Sequence, residues 1–220
     1  MMKASTVLES EIIEILKLQD SCPICYAKSK AVDSWIYGAF TNLLHNEDAR
    51  TKLREGGLCR YHSARITEMA RENSDIGSLA VTVIFKEMLL EQKRMLKGDA
   101  RKGFFRRNRE SNIGNCHLCR IASDTETRYL KGFYGFLYSE SIRRMYEEST
   151  NVFCIDHSES LFKVLGTSES QWFEDVQNKK IGLLLSDLEL YIGRHDYRNS
   201  EPIGEEKKAW LIASKIIGQL

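Results

Sequence analysis

The sequence has little proline and no pattern typical of β-strands. Only two prolines, Pro23 and Pro202, occur in 220 residues, and apolar residues recur at spacings of three and four rather than in alternation. Residues at those spacings share one face of an α-helix. The pattern therefore predicts an all-α fold, a helical bundle.

Long apolar runs and an excess of either charge are also missing. The run Leu79–Phe85 ends at Lys86 and is far shorter than the roughly 20 residues that span a bilayer. Glu9, Glu11 and Glu14 interrupt the N-terminal apolar pattern, which does not suit a signal peptide. With 32 basic and 31 acidic residues, the net charge of +1 gives no general attraction to nucleic acid. We expect a cytoplasmic protein without membrane contact, in which cysteines stay reduced and bind metal or do redox chemistry.

The sequence also lacks the common catalytic motifs. It contains no glycine-rich phosphate loop, no GxSxG and no HExxH. No catalytic residue is therefore indicated, and a non-enzymatic function is favoured.

What the sequence does contain is a repeated cysteine and histidine pattern that uses all six cysteines. A CxxC motif is followed after 33 residues by a CxxH motif, and the same order recurs later with 34 residues between the two motifs. A pattern that occurs twice in one chain indicates an internal duplication. The eight residues are Cys22, Cys25, Cys59, His62, Cys116, Cys119, Cys154 and His157.

Their spacing is typical of a metal site. A CxxC turn places two sulfurs on one side of a tight knuckle, and a CxxH in a first helical turn places its side chains on one helix face. Three thiolates and one imidazole match a tetrahedral zinc ion. We expect each half to fold back on itself around its own zinc, giving two zinc ions per chain. The expected sets are Cys22, Cys25, Cys59 and His62, and Cys116, Cys119, Cys154 and His157.

Other chemistry remains open for the same residues. An iron–sulfur cluster also uses cysteine ligands, although it is less favoured. A thiol redox protein, or a zinc switch that loses metal when its thiolates oxidise, is the main alternative. A catalytic zinc is disfavoured because four protein ligands leave no open position for water.

The duplication suggests a division into two helical modules. We predict a first module at residues 1–97, a basic linker or loop at 98–115, and a second module with C-terminal helices at 116–220. In the linker, basic residues stand on both sides of two phenylalanines, and such a segment could contact nucleic acid. The favoured interpretation is that the segment is an exposed connection between the modules. With a net charge near zero, a protein partner is preferred. The basic residues are Arg101, Lys102, Arg106, Arg107 and Arg109.

Capping residues locate several helix ends. Thr6 with Glu9 forms a capping box, and glycine after Lys97 ends a helix that begins at Ser78. Further helices are expected to begin near Ala27, Cys59, Ser168 and Pro202.

The motifs resemble those of an uncharacterised prokaryotic family with duplicated CPxC and G(F,L)CxxH motifs. The matching segments are CPIC, GLCRYH, CHLC and FCIDH, followed by LELYIGRHDYR and GEEKKAW. The resemblance covers the chain from Cys22 to about Gly218. It implies an all-helical protein with metal sites and no known activity.

Overall fold

The chain is built from α-helices in a computed structural model that describes residues 6–18, 21–97, 116–199 and 201–217. No β-strand occurs in these ranges, which confirms the all-α prediction. The helices are α1 (Val7–Lys17), α2 (Pro23–Phe40), α3 (Glu47–Gly56), α4 (Arg60–Glu72), α5 (Ser78–Lys97), α6 (His117–Phe136), α7 (Glu140–Glu148), α8 (Ile155–Phe162), α9 (Thr167–Arg194) and α10 (Ala209–Ile217), with short 3-10 turns at Leu43–His45 and Glu205–Lys208.

Two of the predicted helix ends are found where the capping residues placed them. The Thr6 hydroxyl accepts a hydrogen bond from the Glu9 amide at 3.0 Å and caps α1. The predicted bounds of α5, Ser78–Lys97, are also observed.

Two other helices begin elsewhere. The helix α2 begins at Pro23 rather than Ala27, because proline is well suited to a first helical turn. The last helix begins at Ala209 rather than near Pro202, since a 3-10 turn at Glu205–Lys208 precedes it.

The helices form two compact units. The first unit combines the described residues up to Ala27 with those from Glu126 onward, and the second runs from Lys28 to Thr125. These limits do not coincide with the boundaries predicted at residues 97 and 116. The predicted linker at 98–115 lies outside the described residues.

The first unit has an aromatic core. Phe133, Tyr146, Phe153 and Phe173 are fully buried. The Phe153 ring lies 5.1 Å from Phe133, 5.2 Å from Tyr146 and 5.5 Å from Phe173, measured between ring centroids. Offset and edge-to-face pairs at such distances stabilise a core beyond their buried area.

The helix α1 belongs to the first unit because it packs on residues far along the chain. A Cβ added to Gly132 would lie 2.8 Å from a methyl carbon of Leu8, so a larger residue at this position would require the Leu8 side chain to shift. The Tyr129 hydroxyl donates a hydrogen bond to Glu11 at 3.0 Å. The N-terminal helix thus packs in the same unit as the C-terminal half, an arrangement that a linear division of the chain does not describe.

The second unit has an aliphatic core. Ile36, Leu53, Ile66 and Ile84 come from α2, α3, α4 and α5 and are fully buried. In the same unit, the Arg65 guanidinium donates to both carboxylate oxygens of Asp33 at 2.9 and 2.7 Å.

The long helices α2 and α6 each contribute to both units. Cys25 and Ala27 near the start of α2 belong to the first core, and Ile36 and Phe40 near its end belong to the second. The helix α6 has the reverse order, since Leu118 belongs to the second core and Phe133 to the first.

The described helices do not meet the requirements of a membrane span. None of them combines sufficient length with the apolar character that a bilayer core requires.

Replacement of Phe133 with alanine tests the aromatic core. We expect Phe133→Ala to lower the free energy of unfolding of the first unit by about 3–5 kcal/mol, since it removes a buried ring and leaves a cavity. Tyr134→Ala is the matched control, because Tyr134 is the next residue of α6 and is 40% exposed. Its effect should stay near 0.5 kcal/mol. Urea unfolding followed by circular dichroism measures both, and equal effects would contradict the described core.

Candidate metal centres

All eight predicted ligands lie in two compact clusters. Within each cluster, the four ligand atoms lie within 4.8 Å of one another. The first cluster contains Cys22, Cys25, Cys154 and His157, and the second contains Cys59, His62, Cys116 and Cys119. Each cluster lies within one unit, the first in the first unit and the second in the second.

The pairing of the motifs differs from the prediction. Each CxxC meets the CxxH of the other half of the chain, so the prediction that each half closes its own site is wrong. The physical reason is the length of the helix that follows each CxxC. From Cys25 to its end at Phe40, α2 carries the chain about 22 Å away. The helix α6, with 20 residues, does the same after Cys119.

Each cluster lies at the N-termini of two helices. Cys154 and Cys59 are the N-cap residues of α8 and α4. Cys22 directly precedes α2, and its backbone carbonyl accepts a hydrogen bond from the Tyr26 amide at 2.9 Å. Cys116 holds the equivalent position before α6. Free amides and the helix dipole favour negative charge at this end, so four helix N-termini are arranged to stabilise thiolates.

Local backbone geometry positions the CxxH motif of the second cluster. Gly57 has a φ of 67° and ends α3, a conformation that glycine adopts without strain. The chain then turns into α4, and the His62 amide donates to the Cys59 sulfur at 3.4 Å. The two side chains are three residues apart and therefore lie on the same helix face.

The distances within both clusters match a single tetrahedral ion. Bonds of about 2.3 Å to sulfur and 2.0 Å to nitrogen give edges of about 3.8 Å between sulfurs and about 3.5 Å between sulfur and nitrogen. The Sγ atoms of Cys25 and Cys154 are 3.7 Å apart, as are those of Cys59 and Cys119.

The histidine distances agree with the same geometry. Nδ1 of His157 lies 3.0–3.4 Å from the three sulfurs of the first cluster. Nδ1 of His62 lies 3.2–3.5 Å from those of the second. Both imidazoles thus present the same nitrogen to the centre of their cluster.

Cys25 and Cys154 in the first cluster have pKa values shifted in opposite directions. Hydrogen bonds from Cys22 and Cys25 hold the pKa of Cys154 well below its usual range. The same contact with Cys154 raises the pKa of Cys25 far above its usual range, and burial adds to the effect. Burial lowers the pKa of His157, but its contacts with Cys154 and Cys22 outweigh this and raise it to about 10. A divalent cation would supply the charge that three adjacent thiolates require.

The second cluster shows the same division between thiols. Burial raises the pKa of Cys116, but contacts with His62 and backbone amides outweigh it and lower the value to about 6. Burial and the nearby Cys116 raise the pKa of Cys119 to about 12. The donor set of three sulfurs and one imidazole nitrogen therefore suits a bound cation in both units.

The first cluster has a carboxylate partner for its histidine. Nε2 of His157 lies 3.3 Å from a carboxylate oxygen of Glu126 on α6. Such a contact orients a ligating imidazole and increases its basicity. In the described residues, no carboxylate is found at hydrogen-bond distance from Nε2 of His62. Sequence reasoning missed Glu126, because nothing in its position on α6 shows which residue it faces.

A buried glutamine supports the same cluster. Gln177 on α9 accepts hydrogen bonds from the Tyr146 hydroxyl and from the Phe153 amide, the latter at 3.3 Å. Its amide group donates to the Phe153 carbonyl at 3.1 Å and to the Ser158 hydroxyl at 2.8 Å. Phe153 and Ser158 flank Cys154 and His157 in sequence, so Gln177 fixes the backbone that carries both ligands.

The remaining histidine of the CHLC motif is not a ligand. His117 is absent from both clusters. Its ring packs edge-on against Trp35 with a centroid distance of 4.8 Å, which is the behaviour of a core side chain.

Paired substitutions distinguish the observed ligand pairing from the alternative. In the described clusters, Cys22→Ser with Cys154→Ser disrupts one site and should leave one metal ion per chain. Cys22→Ser with Cys59→Ser disrupts both sites and should leave none. Native mass spectrometry counts the ions. Pairing within each half would give the opposite result, so each double variant is the control for the other.

Substitution of Glu126 tests its role at the first cluster. We expect Glu126→Gln to lower the affinity for one of the two metal ions by about 10–100-fold, because the His157 imidazole loses a charged partner. Glu159→Gln removes the same charge from an exposed position of α8 and should change neither affinity. Competition with a chromogenic chelator gives both affinities. An unchanged affinity in Glu126→Gln would show that the contact does not support binding.

Comparison with known proteins finds a relative and a matching family. An uncharacterized 23.9 kDa protein in the xynA 3' region of Caldicellulosiruptor sp. (strain Rt8B.4) is 24% identical over 204 residues, which cover 90% of this chain and 95% of the relative. No solved structure matches. Residues 2–211 match a family of unknown function, DUF6062, so the expected membership of an uncharacterised family is confirmed and the chain belongs to that family.

Proposed function

We propose that the protein is a zinc-binding helical scaffold that acts by binding another protein rather than by catalysing a reaction. Each Cys₃His cluster holds one zinc ion, so the chain carries two. The observation that carries the proposal is the size of the clusters, whose sulfur–sulfur edges of 3.7 Å are those of a zinc tetrahedron.

Zinc is favoured over an iron–sulfur cluster because all four ligand atoms of each cluster lie within 4.8 Å of one another. Several iron and sulfide atoms between the ligands would separate the sulfurs beyond the edge of a single-ion tetrahedron. Each cluster also supplies one imidazole and three thiolates, a common ligand set for structural zinc.

A structural function follows from the ligand count. Four protein ligands fill the shell of a tetrahedral zinc ion, whereas catalytic zinc retains a position for water. The bound ion instead joins distant segments, since Cys25 and Cys154 are 129 residues apart and Cys59 and Cys119 are 60 apart. Such a link stabilises the folded chain because metal binding and folding are coupled.

The choice of a protein partner is supported by the second half of α9. Leu183, Leu185 and Ile192 are 61%, 52% and 71% exposed. Between residues 181 and 193 the helix carries Asp187 and Glu189 but no basic residue, so it has no attraction for phosphate. Exposed apolar side chains that cluster on one helix are typical of protein interaction sites.

Binding of nucleic acid is the less favoured possibility. It depends on the basic residues between Arg101 and Arg109, which lie outside the described residues. A cytoplasmic setting remains part of the proposal, because reduced thiols are needed for the metal sites.

Metal analysis of the purified protein tests the proposal. We expect about two zinc ions per chain by elemental analysis and native mass spectrometry, and a loss of helicity in circular dichroism when a chelator removes them. Re-addition of zinc should restore the helical signal. Iron with sulfide, or full helicity in metal-free protein, would contradict the structural zinc sites and would favour a thiol redox function.

A further inference from the structure

The two clusters have different access to solvent. All four ligand atoms of the first cluster are buried. In the second cluster, Cys119 is only half-buried, and the ligand set reaches solvent at this residue. Cys59 is also half-buried as a residue. Oxidants and alkylating agents react with a thiolate that they can reach, so the second cluster is the accessible one.

The two clusters differ in solvent access but have the same sulfur geometry. Cys59 and Cys119 have their sulfurs 3.7 Å apart, and the corresponding pair in the first cluster, Cys154 and Cys25, has the same separation. Each pair joins the N-cap cysteine of a CxxH helix to the second cysteine of a CxxC. A disulfide bond is about 2.05 Å long, so either pair needs only a small movement to form one.

Support by neighbouring residues also differs. The first cluster has the Glu126 carboxylate at His157 and the Gln177 amide at the backbone beside both ligands. Among the described residues, the second cluster has no carboxylate at Nε2 of His62. Neighbours of this kind increase metal affinity, so the accessible cluster is also the one with less support.

We infer that the second cluster is an oxidation site for peroxides, at which Cys119 and Cys59 form a disulfide and release the metal while the first cluster keeps its ion. This inference rests on the proposed function, because both clusters must first hold a metal that keeps their cysteines deprotonated.

The chemistry balances with one peroxide molecule. The Cys119 thiolate attacks a peroxide oxygen, the O–O bond breaks, and Cys119 becomes a sulfenic acid while hydroxide leaves. The Cys59 thiolate then attacks the Cys119 sulfur, which forms the S–S bond and expels a second hydroxide. Two thiolates lose two electrons in total, and the peroxide accepts them.

Metal release follows from the loss of ligands. The disulfide removes two of the four donors, so only Cys116 and His62 remain. The effect is confined to the second unit, since all ligands of the first cluster belong to the other unit. Oxidation thus releases the metal from the second cluster, while the first cluster keeps its ion.

Peroxide treatment of the zinc-loaded full chain tests this inference. A small molar excess of hydrogen peroxide is added, native mass spectrometry counts the remaining ions, and free thiols are alkylated before trypsin digestion. We expect loss of one of the two ions and a disulfide between peptide 55–60, which holds Cys59, and peptide 110–120. Fragmentation between Cys116 and Cys119 assigns the second sulfur to Cys119. A thiol reductant with added zinc should restore the second ion.

The first cluster serves as the internal control, because its Cys25 and Cys154 sulfurs have the same separation. Loss of both ions together, earlier oxidation of Cys25 and Cys154, or a disulfide between Cys116 and Cys119 would overturn the inference. Two ions that both resist peroxide would overturn it and leave the zinc scaffold intact. Protein that contains no metal before peroxide is added would instead contradict the proposed function itself.

Discussion

The structure depends on bringing three cysteine sulfurs and one imidazole together at two places in the chain. Thiolates in such a position repel one another, and two features compensate for the repulsion. Each cluster lies at the N-termini of two helices, whose amides favour negative charge, and each offers a tetrahedral site to a cation. The other parts of the fold position these helix N-termini. The helices α2 and α6 each begin at one cluster and continue into the core of the other unit. The aromatic and aliphatic cores hold the helices that carry the CxxH motifs.

The sequence predicts many of the helices and the composition of the clusters, because both depend on local spacing. Thr6 caps α1 as expected, and the eight motif residues lie in two clusters that could hold metal ions. The pairing is not a local property, since either CxxH offers the same donors to either CxxC. Loop closure gives little guidance as well, because lengthening a loop from 33 to 129 residues costs only about 1 kcal/mol. The direction of α2 decides the pairing. Glu126 and Gln177 were missed for a similar reason, since a polar residue on a helix does not show which neighbour it meets.

The two halves of the chain share a motif but have acquired different surroundings. At the first cluster, a carboxylate contacts the histidine and a fully hydrogen-bonded glutamine holds the backbone of the CxxH motif. At the second cluster, Cys119 is half-buried. Repetition of a set of cysteine and histidine residues therefore does not imply repetition of its surroundings, and neighbouring residues influence how strongly such a set binds a metal.

The exchanged pairing also sets an order of events during synthesis of the chain on the ribosome. The second cluster has all its ligands once Cys119 has emerged, whereas the first must wait for His157, although its CPIC motif emerges earliest. Cys22 and Cys25 therefore spend most of translation without their partners. A newly made N-terminal half also exposes one CxxC and one CxxH that belong to different sites. The correct partners of both motifs lie in the second half of the chain, so neither cluster can be complete while only the first half has been made.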